Sequence, residues 1–263
     1  MDKQFETLSK SKICAAAGEH RPAEIIVLGK TGSLMDDAAE LAARDRRHGT
    51  VLVAEEQTAG RGRHGRIWES TRYLGLYIAV ILDEKITGDP SSMLSIMSGL
   101  AACEAVRYAS VSTAKVKWPN DVLVGERKIA GTLVSKKTTA GIYYIVGTGI
   151  NVHHREGDFP TELEDKATSI YLETGRDVSR NRVAGLLVRS LFEKNLGFVK
   201  WGPQHIIGEY KNQCVTLGKE VEITEKGKVY NGIAEDITDD GALLVRTSAG
   251  TRAFYTGEAS IKR

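Results

Sequence analysis

Short unbroken apolar runs alternate with polar, glycine-rich stretches through most of the chain. Ile25 to Leu28, Val51 to Ala54, Tyr73 to Leu82 and Ile145 to His153 are rich in β-branched or aromatic residues and bounded by turn residues, so they predict strands. Gly29 to Ser33 reads as a turn. Asp36 to Arg47 follows with acidic residues first and basic residues last, the order a helix macrodipole favours. Asp89-Pro90-Ser91 opens a second helix that runs to about Tyr108, with Met93, Met97 and Leu100 at helical spacing. That stripe reads as core, and Cys103 within it as a core residue. Val122 to Val124 and Ile129 to Val134 form the arms of a hairpin around a Gly125-Glu126-Arg127 turn. Arg155 to Lys166 is polar and aperiodic, so it reads as a loop, and His153 and His154 read as loop residues before it. The helix after Ser179 carries Val183, Leu186, Leu187 and Leu191 on one face and reaches about Trp201. Pro203 breaks it, and a short helix follows from Gln204 to Asn212.

From Val215 the texture changes. Val221 to Thr224, Val229 to Ile237, Ala242 to Arg246 and Arg252 to Tyr255 are short strand-like runs, punctuated by Gly227, Asp239-Asp240-Gly241 and Ala249-Gly250. Short strands with regular turns predict a small β-barrel. The expected organisation of the 263 residues is an N-terminal extension over 1–24, a main α+β domain over 25–213 and a barrel over 214–263. The extension is read as either a short helix or a disordered tail.

Charge changes this picture little. Thirty-six Lys and Arg against 34 Asp and Glu give a net charge of +2, too balanced to imply affinity for nucleic acid or membrane. Three cysteines without metal-type spacing fit a reduced, cytoplasmic setting. No secretory signal is evident, and Tyr73 to Leu82 is too short to span a bilayer as a helix.

The chemistry concentrates in three segments. Gly60-Arg61-Gly62-Arg63-His64-Gly65-Arg66-Ile67-Trp68 sets three arginines and a histidine among three glycines. Glycine permits close backbone approach, and guanidinium binds phosphate or carboxylate bidentately, so the loop suits a small anionic ligand rather than a merely solvated turn. The same residues spell G-x-G-x-x-G, with Asp83 near the distance of a ribose-binding acid. The strand-like run after them argues against a dinucleotide fold, which needs a helix to open inside the glycines. Lys117-Trp118-Pro119-Asn120-Asp121 precedes the hairpin, and Lys128 stands just past its turn, where an ordinary exposed lysine is equally at home. Gly147-Thr148-Gly149-Ile150-Asn151 puts two glycines inside a strand, which often marks close approach of a ligand or another backbone.

Together these segments resemble the biotin protein ligases, whose pattern is G-R-G-R-x-G-R-x-W, then K-W-P-N-D, then a lysine in R/K-K-x-A-G, then G-x-G-I-N. Arg127 to Gly131 supplies the third element, and the resemblance runs from about Ile25 to the C-terminus. It implies a mixed-sheet catalytic domain like that of class II aminoacyl-tRNA synthetases, followed by an SH3-like barrel. It implies ATP and Mg2+, with biotin as the acid activated to biotinyl-5'-AMP and passed to a lysine of a biotin carboxyl carrier protein. Carried over by position, Arg63 and Lys128 contact carboxylate and phosphate, with Lys128 the catalytic residue. Ser33 and Gln57 meet the ureido ring, aided by Arg61, Gly62 and Gly131. Trp68 packs on the adenine, and Arg66, Asn151 and Lys262 serve the rest of the nucleotide, with Asn151 also near magnesium through the phosphates. Asp121 polarises the acceptor amine or simply caps a turn. Where the family commonly has Ser-Thr-Asn, this chain has Ser33-Leu34-Met35, which removes two polar groups.

Alternatives within the resemblance are a lipoate or octanoate ligase and, less expected, a biotin-responsive DNA-binding repressor. The residues before Ile25 are too few for a helix-turn-helix head and hold no second helix of recognition character. A homodimer is compatible with the sequence.

Overall fold

The computed structural model describes residues 5–44, 48–83, 91–138, 141–225 and 227–262. The helix end read at 45–47, the helix start read at Asp89-Pro90 and the Asp83 side chain lie outside the described residues. In chain order the first elements are α1 (Lys10–Ala17), β1 (Glu24–Leu28), α2 (Leu34–Arg44), β2 (Thr50–Ala54), β3 (Gly75–Asp83) and α3 (Ser91–Tyr108). Then come β4 (Lys115–Lys117), β5 (Asp121–Val124), β6 (Arg127–Lys137), β7 (Tyr143–Asn151), α4 (Ile170–Thr174), α5 (Arg180–Trp201) and α6 (Gln204–Gln213).

The seven strands form one mixed sheet in the order β1-β2-β3-β7-β6-β5-β4. β1 and β2 are parallel, joined by α2, and every other pairing is antiparallel. α3 and α5 cover one face. α3 is buried nearly all round, Met93, Leu94, Ile96, Met97 and Leu100 included, so its pattern carries little amphipathic signal. The other face has a smaller core, where Leu34, Met35, Ala38 and Ala42 of α2 pack on Tyr77, Ala79, Ile81 and Ile145. Strands buried on both faces read as continuous apolar runs, which is why β2, β3 and β7 were legible.

The second sheet is antiparallel, formed by β8 (Glu220–Glu225), β9 (Lys228–Ile237), β10 (Leu243–Thr247), β11 (Gly250–Phe254) and β12 (Glu258–Ile261) in the order β11-β10-β9-β8-β12. The sequence marked four of these five strands; β12 is short and its only buried apolar anchor at the register centre is Ala259. The two sheets share one apolar core. At their junction Val215 N–H donates to Val116 O at 2.9 Å, and Trp118 donates from its backbone to Thr216 Oγ1 at 3.0 Å and from Nε1 to Gly241 O at 3.1 Å.

Residues 5–20 are packed, not a tail. α1 lies against α5, where Gly185 leaves room for Ala16 and the Ile13 carbonyl. Arg180, wholly buried, pairs with Glu55 at 2.7 Å and donates to Glu6 O at 2.7 Å. Leu8 N–H donates to the same Glu55 carboxylate at 2.6 Å. The paired charge and its hydrogen bonds fasten the N-terminal segment to the end of β2.

Behind the sheet, Lys194 of α5 is 2.8 Å from Glu104 of α3 and 3.0 Å from Glu209 of α6. Burial works against the charge on Lys194, but its hydrogen bonds to Glu104 and attraction to both carboxylates prevail and raise its pKa. A lysine pKa raised by folding stabilises below its unfolded value and loses that contribution as pH rises through the folded one. Lys194→Met leaves two half-buried carboxylates without their cation and should cost about 2 kcal/mol near neutral pH, less than a fully buried pair would. Urea unfolding measures it, and the wild-type advantage should shrink above the ordinary lysine value of 10.5. A loss within 0.5 kcal/mol, the usual range for surface substitutions, would show that the triad is not a stability element.

Candidate active site

The end of β2 leads into the glycine-arginine loop. Gln57 N–H donates to Ser70 O at 3.2 Å, Trp68 N–H to Gly60 O at 3.0 Å and Gly62 N–H to Arg66 O at 2.8 Å. These bonds fold residues 60–68 into a narrow loop closed by a single tight turn over Arg63–Gly65, with His64 in the left-handed region at φ 56°. No α-helix opens inside the glycines, so the dinucleotide fingerprint is excluded on geometry.

The second support is the β5–β6 hairpin. Gly125 at its tip has φ +58°, a conformation that glycine adopts at little cost. Lys128 lies on β6, one residue into the strand. Its N–H donates to Lys166 O at 2.7 Å and its carbonyl accepts from Thr168 N–H at 2.9 Å, so the segment after β7 clamps its backbone. Lys128 Nζ is 2.6 Å from Asp121 Oδ1 and 5.3 Å from the centre of the Trp68 ring. Arg63 Nη1 donates to Asn120 Oδ1 at 3.0 Å, and Asn120 Nδ2 donates to Thr132 O at 2.7 Å. Arg61 is 2.6 Å from Asp36 on α2.

Trp68 lies on the glycines of the central strands. A Cβ on Gly131 would stand 3.0 Å from its Cζ3, and one on Gly149 would fall inside the indole. The strand glycines therefore seat a ring, the close approach that glycine in a strand often marks. Trp68 and the glycines beneath it border two spaces. A cavity of about 330 Å³ is lined by six cations (Arg61, Arg63, Arg66, Lys117, Lys128, Lys166) and two carboxylates, Glu69 and Asp121. A smaller pocket of about 30 Å³ beside it is apolar at Leu34, Met35 and Ile78 and polar at Gln57 and Thr148.

The structure brings Arg61, Gly62, Arg63, Arg66, Trp68, Asp121, Lys128, Gly131 and Asn151 to the larger cavity and Gln57 to the smaller pocket. Gln57 accepts from Leu34 N–H at 2.9 Å and donates to Ser70 Oγ at 3.0 Å, so its amide also fixes the start of α2. Ser33 is buried there, and its Oγ has no partner; neither does Trp68 Nε1. Buried polar atoms normally have partners, so both fit a ligand carrying hydrogen-bonding groups. Lys262 lies outside both spaces: its N–H donates to Glu220 O at 2.9 Å and its ammonium is 3.2 Å from the same residue's carboxylate.

The chain matches the model of the biotin/lipoate A/B protein ligase family over residues 35–151 and that of the biotin protein ligase C-terminal domain over 216–262. It is 33% identical over 244 residues to the biotin–[acetyl-CoA-carboxylase] ligase of Mycobacterium tuberculosis, covering 89% of this chain and 88% of that protein. It is 29% identical to the bifunctional ligase/repressor BirA of Bacillus spizizenii, covering 87% of this chain and 71% of that one. A solved structure of the Aquifex aeolicus biotin protein ligase in complex with biotin and ATP superposes with a TM-score of 0.80 at 31% identity, covering 92% of this chain and 99% of that chain.

The chain belongs to the biotin protein ligase family. The first family match spans α2 to β7, which form most of both spaces. It stops before the wall formed by His154, Phe159, Leu163, Lys166 and Ala167. Sequence reading missed that wall because the stretch after residue 154 is polar on average, and its two large apolar residues, Phe159 and Leu163, lie outside any period. His153 and His154 are loop residues as read, but buried ones, at 5% and 2% exposure. His153 stacks on Phe5 and bonds to Tyr73 O and Val178 O, and His154 stacks on Phe159, contacts that local sequence cannot show. Lys117 and Asn120 of the Lys-Trp-Pro-Asn-Asp turn are further lining residues, and the motif itself was the signal for them.

Gly149→Ala tests the indole seat. The strand geometry accepts alanine, but the new methyl displaces Trp68, and overpacking of this kind costs about 1–3 kcal/mol. In a Trp201→Phe background the tryptophan emission should shift to the red while the far-ultraviolet circular dichroism stays unchanged. Unaltered emission and stability would show that Trp68 does not depend on Gly149.

Proposed function

We propose that this chain activates biotin with ATP as biotinyl-5'-AMP and transfers the acyl group to a lysine of a biotin carboxyl carrier protein or domain. The observation that carries this reading is a cation-rich cavity that shares Trp68, Gly147 and Gly149 with a small pocket of mixed polarity. A carboxylate attacking a phosphate brings two anions together, and fixed positive charge is the main requirement of that step. A biotin carboxylate oxygen bonds to the α-phosphorus, the bond to pyrophosphate breaks, and pyrophosphate leaves. Lys128 and Arg63 hold the reacting anions, Arg66 supports the phosphates, and Ser33, Gln57, Arg61, Gly62 and Gly131 frame the acid.

In the second step the acceptor amine attacks the acyl carbon and AMP leaves with the acyl–phosphate bond electrons. Asp121 is the group that takes the amine proton, once the substrate anion competes with it for Lys128. The site fits Mg2+ carried on the nucleotide: among the described residues no cluster of three His, Cys, Asp or Glu side chains forms a cage of its own. Asn151 spends its Nδ2 on Thr168 O at 3.0 Å, which leaves its amide oxygen for the cavity. Magnesium supplies charge neutralisation across the phosphates when bound. Lys262 reaches the nucleotide only by leaving Glu220.

The polar atoms of Gln57, Thr148 and Trp68 around the small pocket, with the unpartnered Ser33 hydroxyl next to Leu34 in sequence, favour a ureido ring over the apolar chain of lipoate or octanoate. The boundaries 1–24, 25–213 and 214–263 and a cytoplasmic setting belong to the same reading; among the described residues no helix is long and apolar enough to cross a membrane. A homodimer is compatible with it.

Lys128→Ala should lower biotin-dependent pyrophosphate exchange about 30- to 1000-fold, the loss of one charge contact made in the transition state. Near-normal exchange would remove Lys128 from the mechanism. ATP-dependent labelling of a purified carrier domain, with lipoate and octanoate run beside biotin, tests the acid; preferential lipoate transfer would favour the alternative.

Sequence-specific DNA binding is not part of this reading. Among the described residues before β1, α1 packs on α5, whereas a reading head needs a helix or ribbon free to enter a groove. A gel shift at physiological salt, with saturating biotin and ATP and the promoter of a biotin-synthesis operon, should show no discrete complex. A sequence-dependent nanomolar shift would reopen the repressor alternative.

A further inference from the structure

Ser70 follows Trp68 and Glu69 and is buried, at 4% exposure. It lines neither space, but it holds Gln57, which lines the smaller one. Its hydroxyl donates to Trp68 O at 2.9 Å and accepts from Gln57 Nε2 at 3.0 Å, and its carbonyl accepts from Gln57 N–H at 3.2 Å. A hydroxyl has one proton, and a carbonyl can only accept. With that proton committed to Trp68 O, the Ser70 oxygen meets Gln57 as an acceptor and requires the amide NH2. At the other end of the same amide, Leu34 N–H can only donate and requires the oxygen, at 2.9 Å. Turning the amide over would set NH2 against N–H at Leu34 and draw the Ser70 proton away from Trp68 O. Gly60 leaves room for this relay, since a Cβ there would stand 2.6 Å from Ser70 Oγ and 2.3 Å from Trp68 O.

We propose that Ser70 is a positioning residue for the acid, whose hydroxyl fixes the hydrogen-bonding face that Gln57 presents to the small pocket. The inference rests on the ligase reading above. The contacts to Ser70 and Leu34 leave the amide one Nε2 hydrogen and one Oε1 lone pair for a ligand. Together these meet a group with a carbonyl and an N–H side by side, as a cyclic urea has, and they offer nothing to an alkyl chain. Leu34, Met35 and Ile78 make much of the pocket apolar, so few polar groups can take over if the amide turns. Without the Ser70 hydroxyl, Leu34 N–H alone holds the side chain, and its NH2 end is released.

Calorimetric titration with biotin and steady-state pyrophosphate exchange, both on the full chain, test this. Ser70→Ala should raise the biotin Kd about 3- to 10-fold, the worth of one hydrogen bond. At saturating biotin, kcat and the KM for Mg·ATP should stay within about twofold, a split that a general loosening of the site would not give. Ser70→Cys fills nearly the same space but hydrogen-bonds weakly, so it should lose affinity as Ser70→Ala does, and it keeps the test open should the alanine variant unfold. In a Gln57→Ala background, Ser70→Ala should change the biotin Kd by less than about twofold, because the hydroxyl acts only through the amide. A biotin Kd unmoved by Ser70→Ala and Ser70→Cys, additive losses in the double variant, or a matching rise in the KM for Mg·ATP would overturn the role of Ser70 while leaving the ligase reading intact. A wild type that neither binds biotin nor exchanges pyrophosphate would overturn both.

Discussion

Six cations line one cavity against two carboxylates, and the fold is arranged to hold that repelling group in place. Each of the central ones is held by a different neighbour: Lys128 by Asp121, Arg63 by Asn120, Arg61 by Asp36. The partners come from β5, the turn before it and α2, so no single element carries the concentrated charge. An anionic ligand entering the cavity replaces mutual repulsion with attraction, and the donors need little rearrangement to meet it. Electrostatic preorganisation of this kind is the largest single contribution in many enzymes.

The open face of the sheet makes room for that cavity. α3 and α5 seal one face, but α2 covers only part of the other, and the section of β6 and β7 under Trp68 and Met35 carries Gly131, Gly149 and Gly147, where side chains would fill the space. Trp68 lies on Gly131 and Gly149 and divides the space into two, one rich in charge and one small and mixed. Met35 packs against Gly147 on the far side of the division. The apolar Leu34 and Met35, which replace the family's polar pair, therefore form the floor of the small pocket rather than disrupting it.

Two distant parts of the chain fasten this site. Trp118, at the centre of the motif that also supplies Asn120 and Asp121, is bound to the stretch before β8 through Thr216 and to the β9–β10 turn through Gly241. The N-terminal segment is fastened by the buried Arg180–Glu55 pair, two residues before Gln57. A buried pair of this sort is weak evidence for stability, but removing one partner strands the other, so the arrangement is specific.

The sequence alone determined the ligand chemistry and most of the elements. Glycine and arginine in one loop, with Lys128 past a turn and glycines inside a strand, specify a pliant cationic site by residue type. The long apolar runs specify strands because both faces of β2, β3 and β7 are covered. The strand order, and hence the meeting of residues 57–68, 117–132 and 147–167 at one cavity, was decided only by the tertiary structure. So were the burial of His153 and His154, the aromatic wall at Phe159, the strand β12 and the pairing of Lys262 with Glu220. Each of these depends on contacts between segments far apart in the chain, and local periodicity has no term for them. The same holds for residues 5–20: their balanced charge and short helix allow a tail, and a packed strap results only because Arg180 and Asn181, more than a hundred residues away, present the partners they need.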